Sequence, residues 1–183
     1  MTTTIPLNAC VKCEALKHWV GSQQFSSAIM RVSIHRATAA AVDRIAPLFD
    51  GYRVFYHQPS DVGRAKAFLS DRLSKDESVL YFAVDDSTAD AVGFVQLFPS
   101  FSSVTTERLW ILNDLYVAPA ARRQGVAKLL MNQARDFAQA DGAKGLSLET
   151  DHDNFHGQAL YESLGYVKSS AYRYFLSIPK KAH

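Results

Sequence analysis

The chain has 183 residues, 48% of them hydrophobic and 21% charged, with a formal net charge of +2. These values fit one globular domain with a sizeable core and exclude a fibrous or wholly disordered chain. Apolar runs are as short as Val79–Val84, against the roughly 20 residues of a membrane span. The balanced charge does not point to nucleic acid. No apolar h-region marks a signal peptide in residues 1–30, and two cysteines fit a reducing cytoplasm.

Residues 1–29 hold scattered apolar side chains without a period of 2 or 3.6, and read as an extension outside a domain at 30–183. Cys10, Cys13 and His18 lie there in neither a zinc nor a redox context. A first strand starts at Val32. Thr38 is placed to cap a helix carrying Val42, Ile45 and Phe49, which Pro47 should interrupt. Asp50 to Asp61 is turn-rich and aromatic, and Asp61 is placed to cap a second helix with Ala65, Phe68, Leu69 and Leu73. Strands are expected at Ser78–Val84, Ala91–Phe98 and Arg108–Val117. From Gly125 runs the clearest helix, with Val126, Leu129, Leu130, Ala134, Phe137 and Ala138 on one stripe and Gly142 as its left-handed cap. A short strand at Leu146–Leu148, a helix from Asn154 to Leu164 and a last strand from Tyr166 to Ile178 follow. The alternation gives an α/β class, a mixed sheet with helices on both faces.

Arg122-Arg123-Gln124-Gly125-Val126-Ala127 lies between a strand and that strongest helix. Such a turn leaves the first helical N–H groups unpaired, and the helix dipole adds positive character, which suits a pyrophosphate. Arg122, Arg123 and Lys128 add formal charge. An exposed loop of solvated arginines would read the same way, and the pattern is neither a Walker loop nor a dinucleotide fingerprint.

Leu115-Tyr116-Val117, Pro119 and Arg122-x-x-Gly125-x-Ala127, followed by Asn154, Leu160-Tyr161-Glu162 and Leu164-Gly165-Tyr166, resemble the two ordered motifs of the GNAT superfamily of N-acetyltransferases. Gly157 stands where that family commonly has Ala. Leu112–Val117 and the aromatic segment Tyr52–Pro59 are similar to the branch with fungal polyamine, histone and D-amino-acid acetyltransferases. The resemblance implies a GNAT fold, with a mostly antiparallel sheet splayed between the strands at 108–117 and 146–148. It implies acetyl-CoA as co-substrate and no metal. In the cofactor site the backbone of Leu115, Tyr116 and Val117 would lie along pantetheine. Arg122, Arg123, Gln124, Gly125, Val126, Ala127 and Lys128 would surround the pyrophosphate, and Asn154 would bond the pantetheine arm.

Within that resemblance Tyr161 is the candidate acid that protonates the leaving thiolate. Asp114 is the best carboxylate to take the amine proton, with Glu149 in reserve; a structural Asp114 that bonds backbone across the sheet stands beside that reading. Ile111 occupies the position where histone-acetylating relatives carry glutamate. Tyr52, Phe55, Tyr56 and Gln58 would wall the acceptor site. Asp151, His152, Asp153 and His156 read as helix caps more readily than as metal ligands. The expected activity is acetyl transfer to a primary amine of a small molecule, polyamine-like or amino-acid-like. The alternatives are a protein lysine or N-terminal acetyltransferase and a non-catalytic acyl-CoA sensor. The apolar final strand implies a homodimer.

Overall fold

The computed structural model describes residues 30–179; the extension 1–29, with Cys10, Cys13 and His18, falls outside the described residues. In chain order the elements are β1 (Val32–Arg36), α1 (Val42–Phe55), α2 (Val62–Ser74), β2 (Val79–Asp85), β3 (Ala91–Ser102), β4 (Glu107–Val117), α3 (Val126–Ala140), β5 (Leu146–Ser147) and α4 (Phe155–Ser163). One mixed sheet runs β1-β2-β3-β4-β5, antiparallel throughout except for the parallel β4–β5 pair. This is the expected α/β class.

Alternation along β2 divides the core. Val79, Tyr81 and Ala83 pack with Val95, Leu97, Trp110 and Leu112 against Val126, Leu130, Met131 and Ala134 of α3. Leu80, Phe82 and Val84 face the other way, onto Ile45 and Phe49 of α1 and Ala65 and Leu69 of α2. Each fully buried Val, Leu, Ile, Phe or Met among them contributes about 1.5–3 kcal/mol.

β4 breaks that alternation at one place. The ladder pairs Gln96 with Asp114 but Leu97 with Leu112, so Asn113 is an unpaired bulge residue. Trp110 and Leu112 lie on the α3 side, yet so do Leu115 and Val117, while Tyr116 packs on the α1 side. One extra residue therefore turns Asp114 and Tyr116 toward α1. The sequence carries the mark of it, an interval of three between Leu112 and Leu115 amid intervals of two.

Three expectations are corrected. Thr38 makes no side-chain cap, and α1 runs through Pro47 to Phe55, so Asp50–Phe55 is helix and only Tyr56–Asp61 is loop. Burying Val42, Ile45, Ala46 and Phe49 outweighs the single intrahelical bond that Pro47 forfeits. Tyr166–Ile178 forms no strand, because a strand needs a ladder partner and this segment has none among the described residues. Asp61 does cap α2, accepting from the Arg64 N–H at 2.8 Å.

A buried carboxylate pins the α1–α2 loop. Asp50 accepts from Ser60 Oγ at 2.6 Å, the Asp61 N–H at 2.8 Å and Arg53 Nη1 at 2.8 Å. The Ser60 hydroxyl, the Asp61 amide and the Arg53 guanidinium hold its carboxyl below the usual aspartate range. A lowered folded value means the stabilisation is complete above the unfolded value and is lost as pH falls through the folded one. Asp50→Asn should cost about 2 kcal/mol at neutral pH and remove that component of acid sensitivity. Melting curves across the acidic range check it: a variant as acid-sensitive as the wild type would contradict the assignment.

Candidate active site

The loop after β4 is shaped by two left-handed residues, Arg123 at φ 63° and Gly125 at φ 84°. At Gly125 an added Cβ would meet nothing within 4 Å, so the backbone conformation and open space in front of it, not crowding by the protein, favour glycine. The first long intrahelical bond runs from the Leu129 N–H to the Gly125 carbonyl, so the amides of Val126, Ala127 and Lys128 stand ahead of it. A cleft of about 280 Å³ opens here, lined by Val117, Ala121, Arg122, Arg123, Gly125, Val126, Ala127, Lys128, His156 and Leu160. Three cations, open space over a left-handed glycine and the positive end of a helix fit a diphosphate. Arg122 is held in place by its Nε bond to the Val117 carbonyl at 3.0 Å and by the Tyr116 ring beneath its guanidinium. Gln124 lies outside the lining, near the Met30 N–H and the Ala120 carbonyl.

β5 pairs with β4 only at Trp110–Leu146 and Ile111–Ser147. From Leu112 to Val117 the same edge of β4 has no ladder partner among the described residues, and the two strands part toward the cleft, as expected. An extended amide-bearing ligand can bond such an edge as a further strand.

On the α1 side of the opening lies Asp114, 4% exposed. It accepts from Asn113 Nδ2 at 3.1 Å and faces the Tyr52 hydroxyl. Burial pushes its carboxyl up, and the Tyr52 and Asn113 donors only partly offset this. Burial, with the Asp114 charge next to it, pushes the Tyr52 phenol far above its ordinary range. Tyr56 packs edge-on against Tyr52 at 5.1 Å; burial raises it too, and so do the charges of Asp151 and Asp114. Burial raises the phenol of Tyr161, on α4, and the Thr150 hydroxyl close by partly offsets this. Gly51 makes room on α1: a Cβ there would lie 2.8 Å from the Tyr116 hydroxyl.

The structure thus brings Tyr52, Tyr56, Asp114 and Tyr161 into one cluster. Phe55 is 56% exposed and touches Tyr56 edge-on. Gln58 is exposed on the loop. Asn154 caps α4, accepting from the Gly157 N–H at 3.1 Å and donating to Thr150 at 2.9 Å. That corrects the assignment of the cap to Asp151 or Asp153. An alanine at 157 would bring its Cβ to 2.5 Å from the Asn154 amide nitrogen, so Gly157 admits this rotamer. Glu149 is paired with Arg173. Among the described residues no group of three or more His, Cys, Asp or Glu could hold a metal, and no helix is long and apolar enough to cross a membrane. Sequence reasoning missed Thr150 and Asp151, which adjoin the tyrosines. Their only sequence mark is position between β5 and the Asn154 cap.

Residues 42–166 match the Acetyltransferase (GNAT) family, and the chain belongs to it. An uncharacterized N-acetyltransferase of Bacillus subtilis is 43% identical over 151 residues, 82% of this chain and all of that protein. A D-amino-acid N-acetyltransferase of Saccharomyces cerevisiae is 34% identical over 84 residues, 46% of this chain and 52% of its own. The crystal structure of a probable acetyltransferase superposes with a TM-score of 0.76 at 41% identity, over 81% of this chain and 99% of its own. The protein is an acetyltransferase, of a family that uses acetyl-CoA.

Proposed function

We propose that this chain, working in the cytoplasm, carries the acetyl group of acetyl-CoA to a primary amine of a small cationic molecule. The observation that carries the reading is the buried Asp114 carboxyl, ringed by tyrosines, beside the unpaired edge of β4. The thioester, when bound, supplies an activated acetyl carbon and a thiolate leaving group. The β4 edge at Leu115–Val117 aligns its pantetheine amides, Asn154 reaches that arm from α4, and the Arg122–Lys128 loop holds the phosphates. Asp114 accepts a proton from the ammonium form of the acceptor, directly or through a water. Its raised pKa brings proton uptake closer to neutral pH. Tyr161 donates its hydroxyl proton to the departing sulfur and is reprotonated, through solvent, by the second proton that the attacking nitrogen sheds as the amide forms. Tyr52 and Tyr56 present ring faces and oxygens to a cation, with the Asp151 charge acting at Tyr56, while Phe55 and Gln58 close the outer wall.

A thiol-release assay with acetyl-CoA over a panel of diamines, amino acids, aminoglycosides and lysine peptides tests the reading. Turnover on small amines is expected. Turnover on peptides alone would move the acceptor to protein, and binding without turnover on any acceptor would leave an acyl-CoA sensor.

The reading extends to a homodimer. Tyr172, Tyr174, Phe175 and Leu176 are 80–91% exposed beside a sheet that ends in the two-residue β5, and a second copy of the tail would cover both. Truncation after Ser170 should yield monomer or aggregate with every phosphate-loop residue retained. A full-length chain sedimenting as a monomer at micromolar concentration overturns the dimer.

A further inference from the structure

We infer that His156 is a phosphate-binding residue of the coenzyme cleft, one that makes coenzyme affinity depend on pH; this rests on reading the cleft as the acetyl-CoA site. The cleft has two walls. One is the loop and first turn of α3, with Arg122, Arg123 and Lys128; the other is α4, which contributes His156 and Leu160. These two residues are four apart and so share one face of the helix. Leu160 packs on the core under α3, which fixes that face toward the cleft, and His156 then lies one turn nearer the start of α4. There the N-terminal dipole of α4 adds to any positive charge on the ring.

The other charged side chains lining the cleft are Arg122 and Arg123 from the loop and Lys128 from α3, and no carboxylate among the described residues lines it. On its own side of the cleft the nearest charges in sequence are Asp151, His152 and Asp153, none of which lines the cleft, and the Asp151 charge is felt at Tyr56. Histidine is the side chain that ordinarily changes charge across the neutral range. In the imidazolium form it offers a charge-assisted N–H to a phosphate oxygen that already meets the arginines. Affinity for the coenzyme should therefore rise as the solution is acidified.

Calorimetric titration of CoA into the intact protein across the neutral range tests this, with His156→Gln and His156→Arg as variants and thermal melting as the check on folding. The ratio of wild-type to variant affinity cancels protonation of the coenzyme's own phosphates. His156→Gln should bind CoA about tenfold more weakly at the acidic end, with the gap closing toward the alkaline end. His156→Arg should bind tightly throughout, without the histidine's pH dependence. Dephospho-CoA separates the two phosphate sources: a deficit that persists assigns the pyrophosphate, and one that vanishes assigns the 3′-phosphate. Equal affinity of wild type and His156→Gln at every pH overturns the inference, and so does a pH-independent loss that arginine fails to restore. Gly125→Asp in the same titration separates the two readings. If it too leaves CoA binding intact, the cleft is not the coenzyme site; if it abolishes binding while His156→Gln does not weaken it, only the role of His156 falls.

Discussion

Gly125→Asp is expected to weaken coenzyme binding at least about a hundredfold, close to 2.7 kcal/mol, and to leave the fold standing. The position is left-handed at φ 84°, and among residues with a side chain aspartate and asparagine tolerate that region best. Its Cβ would meet no protein atom within 4 Å, so the strain is about 1 kcal/mol, well inside a typical stability margin. The new carboxylate would stand at the mouth of a cleft built around Arg122, Arg123 and Lys128, where it repels a diphosphate and offers those cations an internal partner. Gly125→Asn separates charge from bulk, since it keeps the size and the backbone tolerance; an intermediate loss is expected. Calorimetric titration with CoA, alongside melting curves, decides the matter. Unchanged affinity in a folded Gly125→Asp chain would remove the phosphates from this loop.

The left-handed turn at Arg122–Gly125 and the helix it opens were legible because their signals are local. A glycine opens an amphipathic helix, the apolar stripe of α3 has one period, and Gly142 and Gly165 close α3 and α4 at φ 70° and 87°. Asp61 likewise caps α2 from three residues away; the α4 cap reads one to three residues early in the sequence, on Asp151 or Asp153, where Asn154 makes it. What misled were local signals that tertiary structure overrules. Pro47 and the turn-rich run from Asp50 argue against a helix, yet Phe49 and Tyr52 pack against Phe94 and carry α1 on to Phe55. Tyr166–Ile178 has strand composition, but composition cannot provide the neighbouring strand that a ladder requires. Of the tyrosine–carboxylate cluster, Tyr52, Tyr56, Asp114 and Tyr161 were all legible in the sequence. Thr150 and Asp151 were not legible as part of it, because they lie in the irregular segment between β5 and the Asn154 cap, which carries no periodic signal.

Tyr161→Phe should lower kcat by roughly 10²-fold or more with little change in coenzyme affinity. The ring is part of the packing beside α3 and lies 6.2 Å from that of Tyr166; phenylalanine keeps that volume. Removing the hydroxyl deletes no hydrogen bond of Tyr161 among the described residues, so the fold should keep its stability to within about 1 kcal/mol. Burial holds the phenol above its ordinary range, so it stays protonated at neutral pH and has a proton to give. A thiolate leaving group needs that proton in proportion to its basicity. The deficit of Tyr161→Phe should therefore shrink with an acetyl thioester of a more acidic thiol, compared as the ratio of wild-type to variant kcat/KM. A purely structural tyrosine would slow both donors alike. Asp114→Asn provides the contrasting signature. Asp114 must be ionised to accept a proton, so wild-type kcat/KM should climb with pH through its raised pKa, and the variant should lose that limb while keeping the sensitivity to the leaving group. If Tyr161→Phe turns over at a rate close to wild type with both donors, the proton comes from elsewhere and Tyr161 is a packed aromatic of α4.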